Sequence, residues 1–348
     1  MKEVKRFLVF AVILGVSLIG SFVLAQPSAY AQVFINGAGA TFPYPVYSKW
    51  FDEYHKAHPE IQINYQSIGS GGGIRQVSEL TVDFGATDGP MTDEQLEKAK
   101  TKLLHFPTVL GAVVPTYNIP GLTGELRFTG EILSGIFLGE IKRWDDSRIA
   151  KANPGIKLPS ENIVVIHRSD GSGTTYVWTD YLAKVSRTWE GKVGRGTSVN
   201  WPVGLGGKGN EGVSALIKQT PYSIGYVELI YAEQTKLPFG SVQNRDGAFV
   251  KATLKSTSAA AASAAKNMPS DFRVSITNPP REDAYPIASF TWLLIPEAVA
   301  DPKKGKALVD FLNWMLKDGQ KYAAELLYAP LPKEVITMEE KAIQRIKY

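Results

Sequence analysis

Three times along this chain a short apolar stretch runs into glycine and small polar residues, and then into the spacing of an amphipathic helix. Val33-Phe34-Ile35 leads to Gly37-Ala-Gly-Ala-Thr-Phe-Pro43, after which Val46, Trp50 and Tyr54 recur every four residues. Ile61, Ile63 and Tyr65 alternate like a half-buried strand; Gly69-Ser-Gly-Gly-Gly73 and then Ile74, Val77 and Leu80 follow. Ile163-Val-Val-Ile166 leads to Asp170-Gly-Ser-Gly-Thr-Thr175, with Trp178, Tyr181, Leu182 and Val185 behind it. Strand, tight turn and helix in repeated succession predict an α/β fold, with helices packed over a sheet.

Other segments fit that frame. Val82 to Ala86 reads as a further short strand ending in Asp88-Gly89-Pro90, and Thr92 with Gln95 forms a capping box that starts a helix. Ser256 to Ala265 reads as a loop running into a helix, and Gly305 to Leu327 as one amphipathic helix carrying Leu308, Phe311, Leu312, Met315 and Leu316.

The N-terminus follows a different rule. Lys2, Lys5 and Arg6 precede an apolar run from Phe7 to about Ala25, and Ala29-Tyr30-Ala31 supplies a small-residue cleavage site. That is the layout of a secretory signal peptide, with the exported chain starting at Gln32; an uncleaved membrane anchor is the alternative. Losing residues 1–31 removes three positive charges and one negative, and takes the formal charge from +4 to +2. So small a charge does not call for a nucleic-acid partner. With no cysteine, disulfides, thiolate metal sites, cysteine nucleophiles and an acylated N-terminal cysteine are excluded. An exported, unanchored chain points to the periplasm.

The three junctions share a chemistry. A helix N-terminus presents unpaired N–H groups and about half a positive charge. Glycine lets backbone approach a ligand, and serine or threonine adds a hydroxyl. Each junction alone is either a capped turn or an anion site; three of them, with Arg168 at the end of one strand, favour the anion site. The Arg168 guanidinium can fork onto two oxygens, and Asp170 can brace it, unless the two form only a surface pair. Asp88 is either a turn residue or an acceptor. As an acceptor it repels a fully deprotonated anion such as sulfate, and takes a hydrogen bond from one that keeps a proton, as phosphate does near neutral pH.

Together these residues resemble the PstS family of periplasmic phosphate-binding proteins, which serve the bacterial phosphate-specific ABC transporter. The matching stretches are Gly37-Ala-Gly-Ala-Thr-Phe-Pro43, Ile68-Gly-Ser-Gly-Gly-Gly73, Val82-Asp-Phe-Gly-Ala-Thr-Asp88, Arg168-Ser-Asp-Gly-Ser-Gly-Thr174 and Gly204-Leu-Gly-Gly-Lys-Gly-Asn210. Leu138-Gly-Glu-Ile-Lys-Arg-Trp-Asp145, Ile224-Gly-Tyr-Val-Glu228 and Glu282-Asp-Ala-Tyr-Pro286 add to them. The resemblance implies a type II periplasmic binding-protein fold, with the ligand in a cleft between two lobes joined by a two-strand hinge. Lobe I would be residues 32–116 plus 285–348, and lobe II the inserted residues 117–284. Phosphate contacts would be Thr41, the Phe42 backbone, Ser70, Asp88, Arg168, Ser172, Gly173 and Thr174, with Asp170 bracing Arg168. It implies no enzyme activity and no cofactor, a monomer, and a membrane permease as partner. Gly71, Gly89 and His167 depart from common family residues, and His167 would make affinity more pH-dependent.

Rival readings are a phosphate-processing enzyme, a binder of another oxyanion such as sulfate or molybdate, and a surface adhesion role. Gly204-Leu-Gly206-Gly-Lys-Gly209 fits G-x-G-x-x-G, but Trp201-Pro202 precedes it in place of a clear strand, and no P-loop Gly-Lys-Ser/Thr occurs. No nucleophile–base pair or metal cluster stands out by spacing among the histidines His55, His58, His105 and His167. Arsenate, protonated like phosphate and similar in shape, would be excluded only in part.

Overall fold

A computed structural model describes residues 32–265 and 267–348. The signal-peptide reading of residues 1–31 lies outside them. The strands are β1 (Val33–Gly39), β2 (Ile61–Ser67), β3 (Phe84–Thr87), β4 (Leu103–Asn118), β5 (Arg127–Phe128), β6 (Val164–Arg168), β7 (Leu205–Gly207), β8 (Ser223–Glu228), β9 (Ser241–Gln243), β10 (Phe249–Val250) and β11 (Ala288–Pro296). Eight of them form one sheet in the order β2-β1-β3-β11-β4-β8-β6-β7; β10, β9 and β5 form a small second sheet.

The sheet contains two parallel groups and an antiparallel centre. β1 runs parallel to β2 and β3, and β6 runs parallel to β7 and β8. β11 is antiparallel to both β3 and β4, and β4 is antiparallel to β8. The 16-residue β4 serves both groups: Leu103 to Ala112 pair with β11, and Val113 to Asn118 with β8. Following these directions through the sheet, β1 and β3 run with β4 while β6 and β8 run against it. The carboxyl ends of the two groups therefore face each other near the middle of β4. Ligands in open α/β sheets lie outside carboxyl strand ends, so this reversal aims both groups at one place.

Helices at the predicted junctions are Tyr44–Ala57, Ser70–Ser78 and Gly173–Val185. The first buries Val46, Trp50 and Tyr54, the apolar spacing seen in the sequence. Trp50 also donates its indole N–H to the Gly319 carbonyl at 2.7 Å, which satisfies the polar atom of a fully buried ring. Burying a side chain of this size contributes about 3 kcal/mol or more. The Thr92–Gln95 capping box is present with both its hydrogen bonds, at 3.0 and 3.2 Å.

Two local expectations differ. The Ser256–Ala265 segment is helical from Leu254, because Thr253 Oγ1 accepts from the Ser256 N–H and Ser256 Oγ accepts from the Thr253 N–H, a reciprocal cap. The helix expected over Gly305–Leu327 is a Pro302–Trp314 helix followed by a π-turn at Met315–Gly319 and short helical turns to Leu326. No strand precedes the Gly204–Gly209 motif, as its sequence suggests, but a short strand, β7, lies inside it and feeds the Gly209–Gln219 helix. At three residues on the sheet edge, β7 is too short for periodicity to reveal. It makes a fourth glycine-rich junction of strand and helix.

Candidate functional site

The carboxyl ends of β1, β2 and β3 lead to Thr41, Ser70 and Asp88; those of β6 and β7 lead to Arg168–Thr174 and Asn210. Thr41, Ser70, Asp88, Arg168, Ser172, Thr174 and Asn210 are buried, and the Asp170 side chain is partly so. Thr41 and Phe42 lie between β1 and the Tyr44–Ala57 helix. Tyr231 donates its hydroxyl to the Thr41 carbonyl at 2.5 Å, and Tyr328 donates to the Phe42 carbonyl at 2.6 Å. Both carbonyls are thereby engaged. No hydrogen bond from the Phe42 N–H is found among the described residues.

Ser70 opens its helix after Gly69, whose φ of 89° favours glycine. A Cβ at Gly69 would stand 2.3 Å from Asp170 Oδ2, so this glycine also lets the two sides close on each other. Ser70 Oγ accepts from the Gly173 N–H at 3.0 Å and from the Asp88 N–H at 3.3 Å. Gly173, the first residue of its helix, presses on Asp88: a Cβ there would lie 2.5 Å from Asp88 Oδ2.

Arg168 is held on all sides. Its Nε donates to Asp170 Oδ1 at 2.8 Å, Nη2 to Oδ2 at 2.5 Å, and Nη1 to Thr174 Oγ1 at 3.4 Å. Asp170 Oδ1 also accepts from the Gly209 N–H at 3.0 Å. Burial pushes the Asp170 carboxyl up, but the hydrogen bonds and charge of Arg168, with Gly209, outweigh it and hold the group below its usual range. Asp88 has the opposite balance. Burial lifts it to about 7, against the lowering influence of the Thr291 hydroxyl at 2.9 Å, the Arg168 charge and Ser70.

Ser172 is the N-cap of the Gly173–Val185 helix: its Oγ accepts from the Thr175 N–H at 3.0 Å, and its own N–H is taken by the Thr197 carbonyl at 2.7 Å. His167 stacks on Trp201 with ring centroids 4.8 Å apart, and its Nδ1 lies 3.0 Å from the Arg168 carbonyl. Burial lowers its pKa, against the raising influence of its backbone hydrogen bonds.

Sequence reasoning missed Asn210. It is fully buried and reaches Thr41 on one side and Thr174 on the other. The glycine-rich junction at β7 was the available signal. Glu228, buried beside it, caps the Leu229–Thr235 helix through the Ile230 N–H at 2.9 Å, and burial raises its carboxyl well above the usual range. A cavity of about 230 Å³ opens against Thr41 and Asp170, rimmed by Lys208 and Glu211. The whole arrangement offers an oxyanion one guanidinium, hydroxyl and backbone donors, and one acceptor.

The family model described as a PBP superfamily domain matches residues 24–318. A phosphate-binding protein PstS of Pasteurella multocida is 49% identical over 303 residues, covering 87% of each chain. A phosphate-binding protein PstS of Methanocaldococcus jannaschii is 41% identical, covering 93% of this chain and 90% of its own. Among solved structures, a phosphate binding protein from Stenotrophomonas maltophilia superposes with a TM-score of 0.66 at 18% identity, over 88% of this chain and 92% of its own.

Proposed function

This chain belongs to the PstS phosphate-binding proteins of the PBP superfamily, and on that premise we propose that it captures inorganic phosphate and delivers it to a membrane ABC permease for import. Its fold is the two-lobed type II arrangement of that superfamily. In this reading lobe I is residues 32–116 plus 285–348 and lobe II is residues 117–284. The hinge is β4 together with the return crossing before β11, where the Val113 N–H donates to the Ile287 carbonyl at 2.8 Å and Tyr285 donates to the Val113 carbonyl at 2.9 Å.

Phosphate sits between Thr41, the Phe42 N–H, Ser70 and Asp88 on one side and Arg168, Ser172, Gly173 and Thr174 on the other, with Asp170 bracing Arg168. Donors from both lobes reach one ligand, so the ligand favours closure by its differential contact with the closed state. The observation that carries this reading is Asp88. A buried carboxylate that accepts from the Thr291 hydroxyl and pairs with no cation in a salt bridge among the described residues, beside a cationic site, suits an anion that brings its own proton.

No helix among the described residues is long and apolar enough to cross a membrane. The chain acts in the periplasm as a monomeric binder without a chemical step, after signal cleavage near Ala31.

Calorimetric titration of the purified exported chain with phosphate and then sulfate, at neutral pH, tests the function. One-to-one phosphate binding with no sulfate response is the expected result. Equal responses would make it a general oxyanion binder, and silence toward both would sink the proposal.

A further inference from the structure

The orientation of the Asn210 amide is fixed by its surroundings. The Glu228 backbone N–H, which can only donate, points at Asn210 Oδ1 at 3.0 Å. Nδ2 therefore faces the other way, and donates to Thr41 Oγ1 at 2.8 Å and Thr174 Oγ1 at 3.1 Å. Thr41 Oγ1 accepts a second hydrogen bond from the Asn210 N–H at 3.2 Å. Thr174 Oγ1 accepts a second from Arg168 Nη1 at 3.4 Å. A hydroxyl has one proton and two lone pairs. In both threonines the lone pairs are already engaged by groups that cannot accept, so the only capacity left is the proton.

We propose that Asn210 is a positioning residue that sets Thr41 and Thr174 as obligate donors toward bound phosphate, from both sides of the cleft at once. The proposal rests on the phosphate reading above. A free threonine hydroxyl can turn its lone pairs toward a ligand as readily as its proton; an anion with few protons needs the second orientation. One amide enforces it at the end of β1 and at the start of the Gly173–Val185 helix, where burial keeps water from competing. Ser70 is a partial parallel made with backbone: its oxygen accepts from the Gly173 and Asp88 N–H groups, and its hydroxyl stands beside the Asp88 carboxyl, whose pKa it lowers.

Asn210→Asp keeps the shape and an acceptor for Glu228, but turns the donor facing the threonines into an acceptor. Asn210→Leu removes the donor without adding charge. Phosphate titration calorimetry and ligand-free melting are run on the native chain, on both variants, and on each variant combined with Thr41→Val/Thr174→Val. Asn210→Asp should lose at least about 100-fold in phosphate affinity, because two charge-assisted hydrogen bonds are redirected. Asn210→Leu should lose roughly tenfold or more alone, but less than about threefold beside the valines, where the hydroxyls it acts through are gone. Native affinity in Asn210→Asp overturns the proposal, whether or not melting changes, and so does an equal loss from Asn210→Leu in both backgrounds. If Asn210→Leu fails to fold, Asn210→Asp alone decides. A native chain that does not bind phosphate brings down the phosphate reading itself, an outcome distinct from these.

Discussion

Two buried charged groups face each other across this site, and they are built to opposite rules. Arg168 ends β6 with a bidentate carboxylate partner at 2.8 and 2.5 Å, which holds Asp170 below its usual range. Asp88 follows β3, accepts from the Thr291 hydroxyl, forms no ion pair among the described residues, and is lifted by burial to a pKa of about 7. One side holds a permanent charge in a fixed orientation; the other holds a group whose proton is negotiable. In the proposed reading, attraction is set on the first side and discrimination on the second. Breaking each side separately should therefore give different phenotypes.

The largest effect belongs to the fixed side. Arg168→Ala leaves Asp170 buried without its partner, and should weaken phosphate binding by roughly two to three orders of magnitude, the usual cost of breaking a buried pair. Calorimetry reads this directly, and native affinity in that variant would misplace the site. Asp88→Asn should act on selectivity more than on attraction. The ratio of phosphate to sulfate affinity should shrink by at least about tenfold, as repulsion of the unprotonated anion is removed.

Asp88 also makes a prediction about ligand-free stability. Its folded pKa lies above the unfolded one, so its favourable contribution is complete below about pH 4 and is lost as pH rises through about 7. Asp88→Asn should gain melting temperature relative to the native chain across that window. A constant difference between the two would show that Asp88 is not desolvated as described. Asp170 has the opposite sign: its depressed pKa gives stability that is present above the unfolded value and lost as pH falls through the folded one. The smallest effect is expected at His167, whose proton is lost below its ordinary value. His167→Gln should change affinity by less than about threefold and leave the profile between about pH 6 and 8 unchanged.

Much of this was legible in the sequence because glycine and proline mark junctions, and apolar spacing marks faces. The helices after Pro43, Gly69 and Ser172 lie where the spacing of Trp50, Val77 and Trp178 puts them. The pairing of Arg168 with Asp170 could be guessed, since the two are separated by one residue. Asn210 could not, because β7 leaves no periodic trace and the residue works through partners 169, 36 and 18 positions away. The surroundings of His167 were not legible for the same reason. Its stacking partner Trp201 comes from a distant loop, and burial is not written in a local pattern.

β3 and β4 are consecutive in the chain yet not neighbours in the sheet, because β11 lies between them and pairs with both. The slot between them is open until residues 288–296 arrive, almost at the end of the chain. Contacts of such long sequence separation are slow to form, since loop-closure entropy is lost before they reward it. A chain that locks its central sheet with one of its last segments spends its synthesis unlocked. If the chain is exported as proposed, that delay is time in which it can still be moved through a membrane.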